Sequence, residues 1–236
     1  MSAASPQSLS KIPGFDPRDV PIQSRDHALP AVALERLHPR AIRERFANPP
    51  RWEPEFVGDP FKLRPEPPRP AAVLVPIVDH PGGPTVLLTE RTAHLHDHAG
   101  QVAFPGGRQD PQDADAIDTA LRETVEEIGL ARECVEIVGE LPEYLTGTGY
   151  RVTPIVGVVR PGFALRLDAF EVAEAFEVPL AFLMNPGHHE RRRIVHGELD
   201  RSFYSMPYRR PGSEREYFIW GATAAMLRNL YRLLIA

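Results

Sequence analysis

At 236 residues, 42% hydrophobic and 25% charged, the chain is long enough to bury one medium-sized core and too apolar to be disordered throughout. A formal net charge of −5 argues against a nucleic-acid coat protein, which would carry a basic excess. Cys134 is the sole cysteine, no apolar run approaches the roughly 20 residues of a membrane-crossing helix, and residues 1–15 lack the apolar stretch of a signal peptide; a soluble, cytoplasmic protein with neither nucleic acid nor membrane as partner is expected.

Fourteen of the 26 prolines fall in the first 70 residues. Each removes a backbone donor and fixes φ, which excludes one continuous helix or sheet there. Residues 1–28 read as an irregular arm. Val32, Leu34, Leu37, Ile42 and Phe46 mark a short helical stretch interrupted at Pro39, and residues 47–70 read as an extended linker. The division expected from this texture is a Pro-rich N-terminal arm over 1–69, with a short helix and linker, and one folded domain over 70–236.

From Ala71 the pattern changes. AAVLVPIV (71–78) and TVLLTE (85–90) are apolar, β-branched runs separated by HPGGP, which predicts two strands and a hairpin. Val102–Phe104 is a short extended piece ended by Pro-Gly-Gly. Asp113–Ile128 has helical periodicity, with Leu121, Val125 and Ile128 on one face and Gly129 as the stop. Cys134–Leu141 and Val152–Val159 read as strands, and Asp168–Glu177 as an acidic loop or short helix. FEVPL (176–180) is strand-like and precedes a helical turn at Ala181–Asn185. SFYSMPY (202–208) and YFIW (217–220) are strand candidates, and residues 221–234 form an amphipathic terminal helix. Alternating strands and helices without an internal repeat favour a mixed α/β sandwich.

The chemistry concentrates at residues 122–127. On a helix, Glu123, Glu126 and Glu127 stand at i, i+3 and i+4, so three like charges converge within one turn. They also lie just before Gly129, where the carbonyl end of the helix disfavours anions. A hard divalent cation, Mg²⁺ or Mn²⁺, resolves both conflicts, and such ions bind through carboxylates together with substrate phosphates. Arg122 lies four residues before Glu126 and can hold a carboxylate in one rotamer. An isolated Arg-Glu-x-x-Glu-Glu run is usually a solvated helix face. Here Phe104-Pro105-Gly106-Gly107 precedes it, and paired glycines let a backbone approach a ligand or helix closely.

These residues resemble the Nudix box, G-x5-E-x7-R-E-U-x-E-E-x-G-U, with U aliphatic. Gly107, Arg122, Glu123, Glu126, Glu127, Gly129 and Leu130 match it. The gap from Gly107 to Arg122 is one residue longer than the pattern, so the first glutamate falls on Asp113 counted from the glycine or on Ala114 counted from the arginine. Thr124 stands at an aliphatic position. Upstream, Leu87-Leu88-Thr89-Glu90-Arg91-Thr92, then Gly100 and FPGG, resembles LLTxR[ST]x3Rx3Gx3FPGG, an extension of coenzyme A pyrophosphatases, with His96 in place of its second arginine. The resemblance spans roughly residues 70–236. It implies the Nudix fold, an α/β arrangement with a mixed β-sheet sandwiched between α-helices, and cleavage of coenzyme A to 3′,5′-ADP and 4′-phosphopantetheine. It further implies substrate contacts at Arg91, Thr92, His96, Phe104, Gly106 and Gly107, and a metal on Glu123, Glu126 and Glu127. An additional carboxylate from a later loop is expected as general base or metal ligand: Glu171, with Glu174 and Glu177 as rivals.

Other residues carry competing readings. His94, His96 and His98 alternate, yet no cysteine or carboxylate in fixed register completes a zinc set. The run from His188 to Arg193 reads as a solvated loop or, functionally, as a clamp for the 3′-phosphate of coenzyme A. The nearest alternatives are a Nudix hydrolase of another nucleoside diphosphate, such as an ADP-sugar or dinucleotide, and a non-catalytic binding module. The expected partner is a small-molecule substrate, and a homodimer stays open.

Overall fold

The computed structural model describes residues 15–59, 66–93, 100–196 and 199–236, with backbone alone for His196 and Leu199. The front of the chain forms β1 (Ile22–Arg25), α1 (Leu34–Leu37) and α2 (Pro39–Ala47). Then come β2 (Arg69–Val78), β3 (Thr85–Arg91), β4 (Val102–Ala103), β5 (Gly106–Arg108) and α3 (Ala116–Ile128). Next are β6 (Val135–Glu140), β7 (Tyr144–Leu145), β8 (Tyr150–Val159) and β9 (Val172–Pro179). The chain ends with α4 (Leu180–Leu183), β10 (Glu190–His196), β11 (Leu199–Arg209), β12 (Glu216–Trp220) and α5 (Gly221–Ile235).

β4, β3, β2, β8 and β6 lie side by side in the larger sheet, with β5 added on β2, β7 on β8 and β9 on β3. β2 and β8 run parallel from Arg69–Tyr150 to Val78–Val159, whereas the flanking pairs are antiparallel; the sheet is mixed. Successive side chains of a strand point to opposite faces, and β2 uses both. Ala72, Leu74 and Val78 pack beneath α3 with Ala120, Ile128, Leu130 and Ile155. Ala71, Val75 and Ile77 join the larger core on the other face, with Ile42, Phe176, Met206, Leu227 and Leu230. Helices thus cover both faces of the sheet. The second sheet, in the order β1, β10, β11, β12, is antiparallel throughout. Among the described residues no helix is long and apolar enough to cross a membrane.

Four expectations change. Residues 15–59 are not an arm beside the domain, because Val32, Leu37 and Ile42 belong to the main core and β1 pairs with β10. Polar ties reinforce this: Arg228 of α5, 2% exposed, meets Asp26 at 2.9 Å and Glu55 at 2.5 Å, and Asn229 accepts from the backbone N–H groups of Glu55 and Phe56. The break at Pro39 is real, with proline in the first turn of α2, where its missing N–H costs nothing. The acidic segment is a turn followed by β9, and the basic run supplies β10 rather than a loop. Finally, α3 buries Thr119, Ala120, Thr124, Glu127 and Ile128, while Val125 is 38% exposed. The apolar face read from Leu121, Val125 and Ile128 is therefore rotated, and a glutamate turns inward.

Candidate active site

Pro-Gly-Gly sends β5 back along β2, pairing Gly106 with Val73 and Gly107 with Ala72. Contact with the β2 backbone requires glycine at 106, and Gly107 leaves room for a side chain of α3. A Cβ on Gly106 would lie 2.4 Å from the Ala72 carbonyl oxygen, and one on Gly107 would lie 2.5 Å from the Glu123 carboxylate. The glycine turn therefore passes directly against the carboxylate end of α3. That helix begins where Asp115 accepts from the Asp118 N–H at 2.8 Å, and it ends at Gly129, in the left-handed region at φ 70°.

Arg122 is the hub of the exposed side. Its guanidinium donates to both oxygens of Asp113 at 2.8 and 2.9 Å, to Glu123 and Glu126 at 3.0 Å each, and to the Arg108 carbonyl at 3.2 Å. Asp113, and not Ala114, is thus the residue that Arg122 engages ahead of the helix, and the Arg122 hydrogen bonds hold its carboxyl well below the usual range. Burial pushes Glu123 upward against the pull of Arg122.

Glu127 faces inward. It is 5% exposed, accepts from the Gly106 N–H at 3.1 Å, and lies 3.6 Å from Arg91. Burial pushes its pKa up to about 7; Gly106 and Arg91 oppose that shift, while the charges of Glu171 and Glu123 add to it. Glu171 joins the group 3.9 Å from the same Arg91 guanidinium. Its turn is fastened to α3 by the backbone, since Arg166 N–H donates to the Ile128 carbonyl and Asp168 N–H to that of Glu127. Asp168 then closes the turn, its side chain accepting from Phe170 N–H and its carbonyl from Glu171 and Val172. Sequence reasoning missed Asp168. An aspartate two residues before an exposed turn position was the available signal.

The structure thus gathers Glu123, Glu126, Glu127, Arg122, Glu171, Arg91, Gly106 and Gly107. It separates the rivals of Glu171: Glu174 binds Tyr217, Arg210 and Arg215, and Glu177 binds His80 and Thr85. Two expected substrate contacts are corrected. The Phe104 ring is buried in the main core, and the Thr92 hydroxyl donates to the Phe170 carbonyl at 2.7 Å, while its N–H donates to the Glu171 carbonyl. Thr92 holds the Glu171 turn instead of facing the cleft. His94, His96 and His98 lie outside the described residues. The proposed 3′-phosphate clamp also gives way: Arg192, 8% exposed, is engaged by Glu190, Ser205 and the carbonyls of Arg18 and Val20, and Arg193 pairs with Asp200.

The donor set fits a hard divalent cation. It is made of carboxylate oxygens, and burial disfavours the ionised form of Glu127, which a cation would stabilise. Among the described residues no three such side chains already converge on one point; these carboxylates are turned toward Arg122 and Arg91.

A family model described as NUDIX domain matches residues 67–195. Over 169 residues the chain is 44% identical to the uncharacterized Nudix hydrolase NudL of Escherichia coli (strain K12), covering 69% of this chain and 81% of that protein. It is 43% identical over the same length, with the same coverage, to the protein of that description from Shigella boydii serotype 18. Among solved structures, a Nudix hydrolase from M. smegmatis, RenU, aligns at 24% identity with a TM-score of 0.42, over 49% of this chain and 73% of that one.

Proposed function

Since this chain belongs to the Nudix hydrolase family, we propose that its substrate is coenzyme A or a derivative, cleaved at the diphosphate to 3′,5′-ADP and 4′-phosphopantetheine. One observation carries this reading. The stretch from Leu87 to Gly107 has the spacing that resembles coenzyme A pyrophosphatases, and its Arg91 and Gly106 both reach Glu127, at 3.6 and 3.1 Å.

Glu123, Glu126 and Glu127 are the residues that would hold Mg²⁺ or Mn²⁺. When bound, such an ion neutralises charge on the diphosphate and lowers the pKa of water. The chain supplies the rest. Arg122 fixes the rotamers of Glu123 and Glu126, and Gly107 leaves room for Glu123. In the hydrolysis itself, the water oxygen forms a bond to phosphorus, the bridging P–O bond breaks, and the phosphate monoester leaves. The water's proton passes to a carboxylate, and Glu171, anchored on the turn beside Glu127, is the candidate acceptor.

A second reading, hydrolysis of an ADP-sugar or dinucleotide, is favoured by His96, which replaces an arginine of the coenzyme A pattern. The purified protein should be incubated with Mg²⁺ or Mn²⁺ and, separately, coenzyme A, dephospho-coenzyme A, ADP-ribose and a dinucleotide, with products identified by mass. Appearance of 3′,5′-ADP is expected. Turnover of ADP-ribose or the dinucleotide without coenzyme A cleavage transfers the assignment to the second reading.

A further inference from the structure

The two guanidiniums of the site are held in different ways. Every N–H donor of Arg122 is engaged, on Asp113, Glu123, Glu126 and the Arg108 carbonyl, at 2.8–3.2 Å. Arg91 lies 3.6 Å from Glu127 and 3.9 Å from Glu171, outside hydrogen-bond distance of both. Its direction comes from the backbone. The register between β3 and β9 shifts between Glu90 and Arg91, and such irregularities re-aim a strand side chain. Glu90 pairs with Arg215 at 2.9 Å, while Arg91 turns to the carboxylates beside α3.

The geometry places one cation between two carboxylates from different elements: the Arg91 guanidinium lies 3.6 Å from Glu127 of α3 and 3.9 Å from Glu171 of the turn before β9. A guanidinium is a passable counter-ion for two carboxylates but a weaker one than a doubly charged hard ion. Its planar fork matches phosphate oxygens better than it matches two carboxylates on different elements.

Resting on the reading of Glu127 as a cation ligand, we propose that Arg91 is the internal counter-ion of the metal-free site. It bridges Glu127 and Glu171 until a divalent cation is held by Glu127, and its guanidinium then turns to the substrate's diphosphate, leaving Glu171 to accept the water's proton. Arg91 is thus a positioning residue first and a phosphate contact second. Its loose contacts make the exchange cheap, whereas the locked Arg122 stays in place.

The test is Mn²⁺ binding to the metal-stripped protein, followed by calorimetry at pH 8.5. Arg91→Gln should bind Mn²⁺ about fivefold tighter, because a competing cation has been removed. Its metal-free form should melt at a lower temperature, and Arg91→Lys should stay near the unmodified protein in both respects. A merely structural arginine would lower the melting temperature and weaken Mn²⁺ binding together, which overturns the proposal. Equal Mn²⁺ affinity in the unmodified and Arg91→Gln proteins also overturns it, while leaving the carboxylate site standing. Absence of Mn²⁺ binding in both removes that site and this inference with it. A second measurement needs no neutral variant: in the unmodified protein, Mg²⁺ should shift the Arg91 Nε–H NMR signal and leave that of Arg122 nearly unmoved. A stationary Arg91 signal in a protein that binds Mg²⁺ counts against the exchange.

Discussion

Glu127 combines two demands on one side chain. It sits in the buried face of α3, yet it is one of the three carboxylates proposed as cation ligands, and burial pushes its pKa up to about 7. Glu127→Gln keeps the size and removes the charge, so turnover should fall by on the order of 10² while circular dichroism stays unchanged. The same variant exposes the cost of the buried charge. Its folded pKa lies above the unfolded value of 4.5, so the stability that Glu127 contributes is complete below about pH 4.5 and is lost as the pH rises through about 7. Glutamine is neutral throughout. Metal-free Glu127→Gln should therefore match the unmodified protein near pH 4.5 and exceed it by up to about 3 kcal/mol at pH 8. Urea unfolding in the presence of a chelator, at both pH values, checks this. His189, which burial pushes down to about 4, titrates alike in the two proteins and cancels in the difference. A difference independent of pH would show that Glu127 is ionised in the fold at low pH.

At the scale of elements, the site is a contact between a turn, a helix end and a second turn. Gly107 is the point where the glycine turn meets a carboxylate of α3. Gly107→Ala would bring a methyl group to within 2.5 Å of the Glu123 carboxylate, the far end of a flexible side chain that can swing aside cheaply. The expected result is activity reduced by about tenfold or more with a melting temperature within a few degrees of the original. Steady-state kinetics alongside a thermal melt separate the two effects; a large loss of stability would mean that Glu123 cannot move. Strand β10 gives the opposite expectation. Arg192 crosslinks Glu190, Ser205 and the chain at Arg18 and Val20, so Arg192→Ala leaves buried acceptors without their partner and should cost about 3–5 kcal/mol in urea unfolding. A substrate effect with unchanged stability would return this arginine to the phosphate-clamp reading.

For the whole molecule, the front of the chain behaves as part of the core. Removing residues 1–28 deletes β1 from the edge of β10, takes away the buried Val20, and strips Asp26 from Arg228 and from the Tyr204 hydroxyl. The truncated protein should therefore lose solubility or melt at a clearly lower temperature. A cooperative melt at the original temperature would show that these ties contribute nothing net.

The sequence by itself determined the elements whose causes lie within a few residues of one another. The strands β2, β3 and β8, the stop of α3 at Gly129, the glycine turn and the placement of Glu123, Glu126 and Glu127 on the last turns of α3 follow from period-two and period-3.6 spacing and from turn chemistry. Tertiary structure decided what depends on distant partners. Spacing left Asp113 and Ala114 equivalent until Arg122 folded back onto Asp113. It left Glu171, Glu174 and Glu177 as rivals until Asp168 docked on the carbonyl of Glu127, while Tyr217 and His80 engaged the other two. The buried face of α3 differs from its apolar stripe because a backbone N–H from Gly106 turns a glutamate inward, which hydrophobicity alone cannot show. The proline-rich front has the texture of an arm because its anchors, Asp26 and Glu55, are polar and meet Arg228 from the far end of the chain, a pairing that no local pattern encodes.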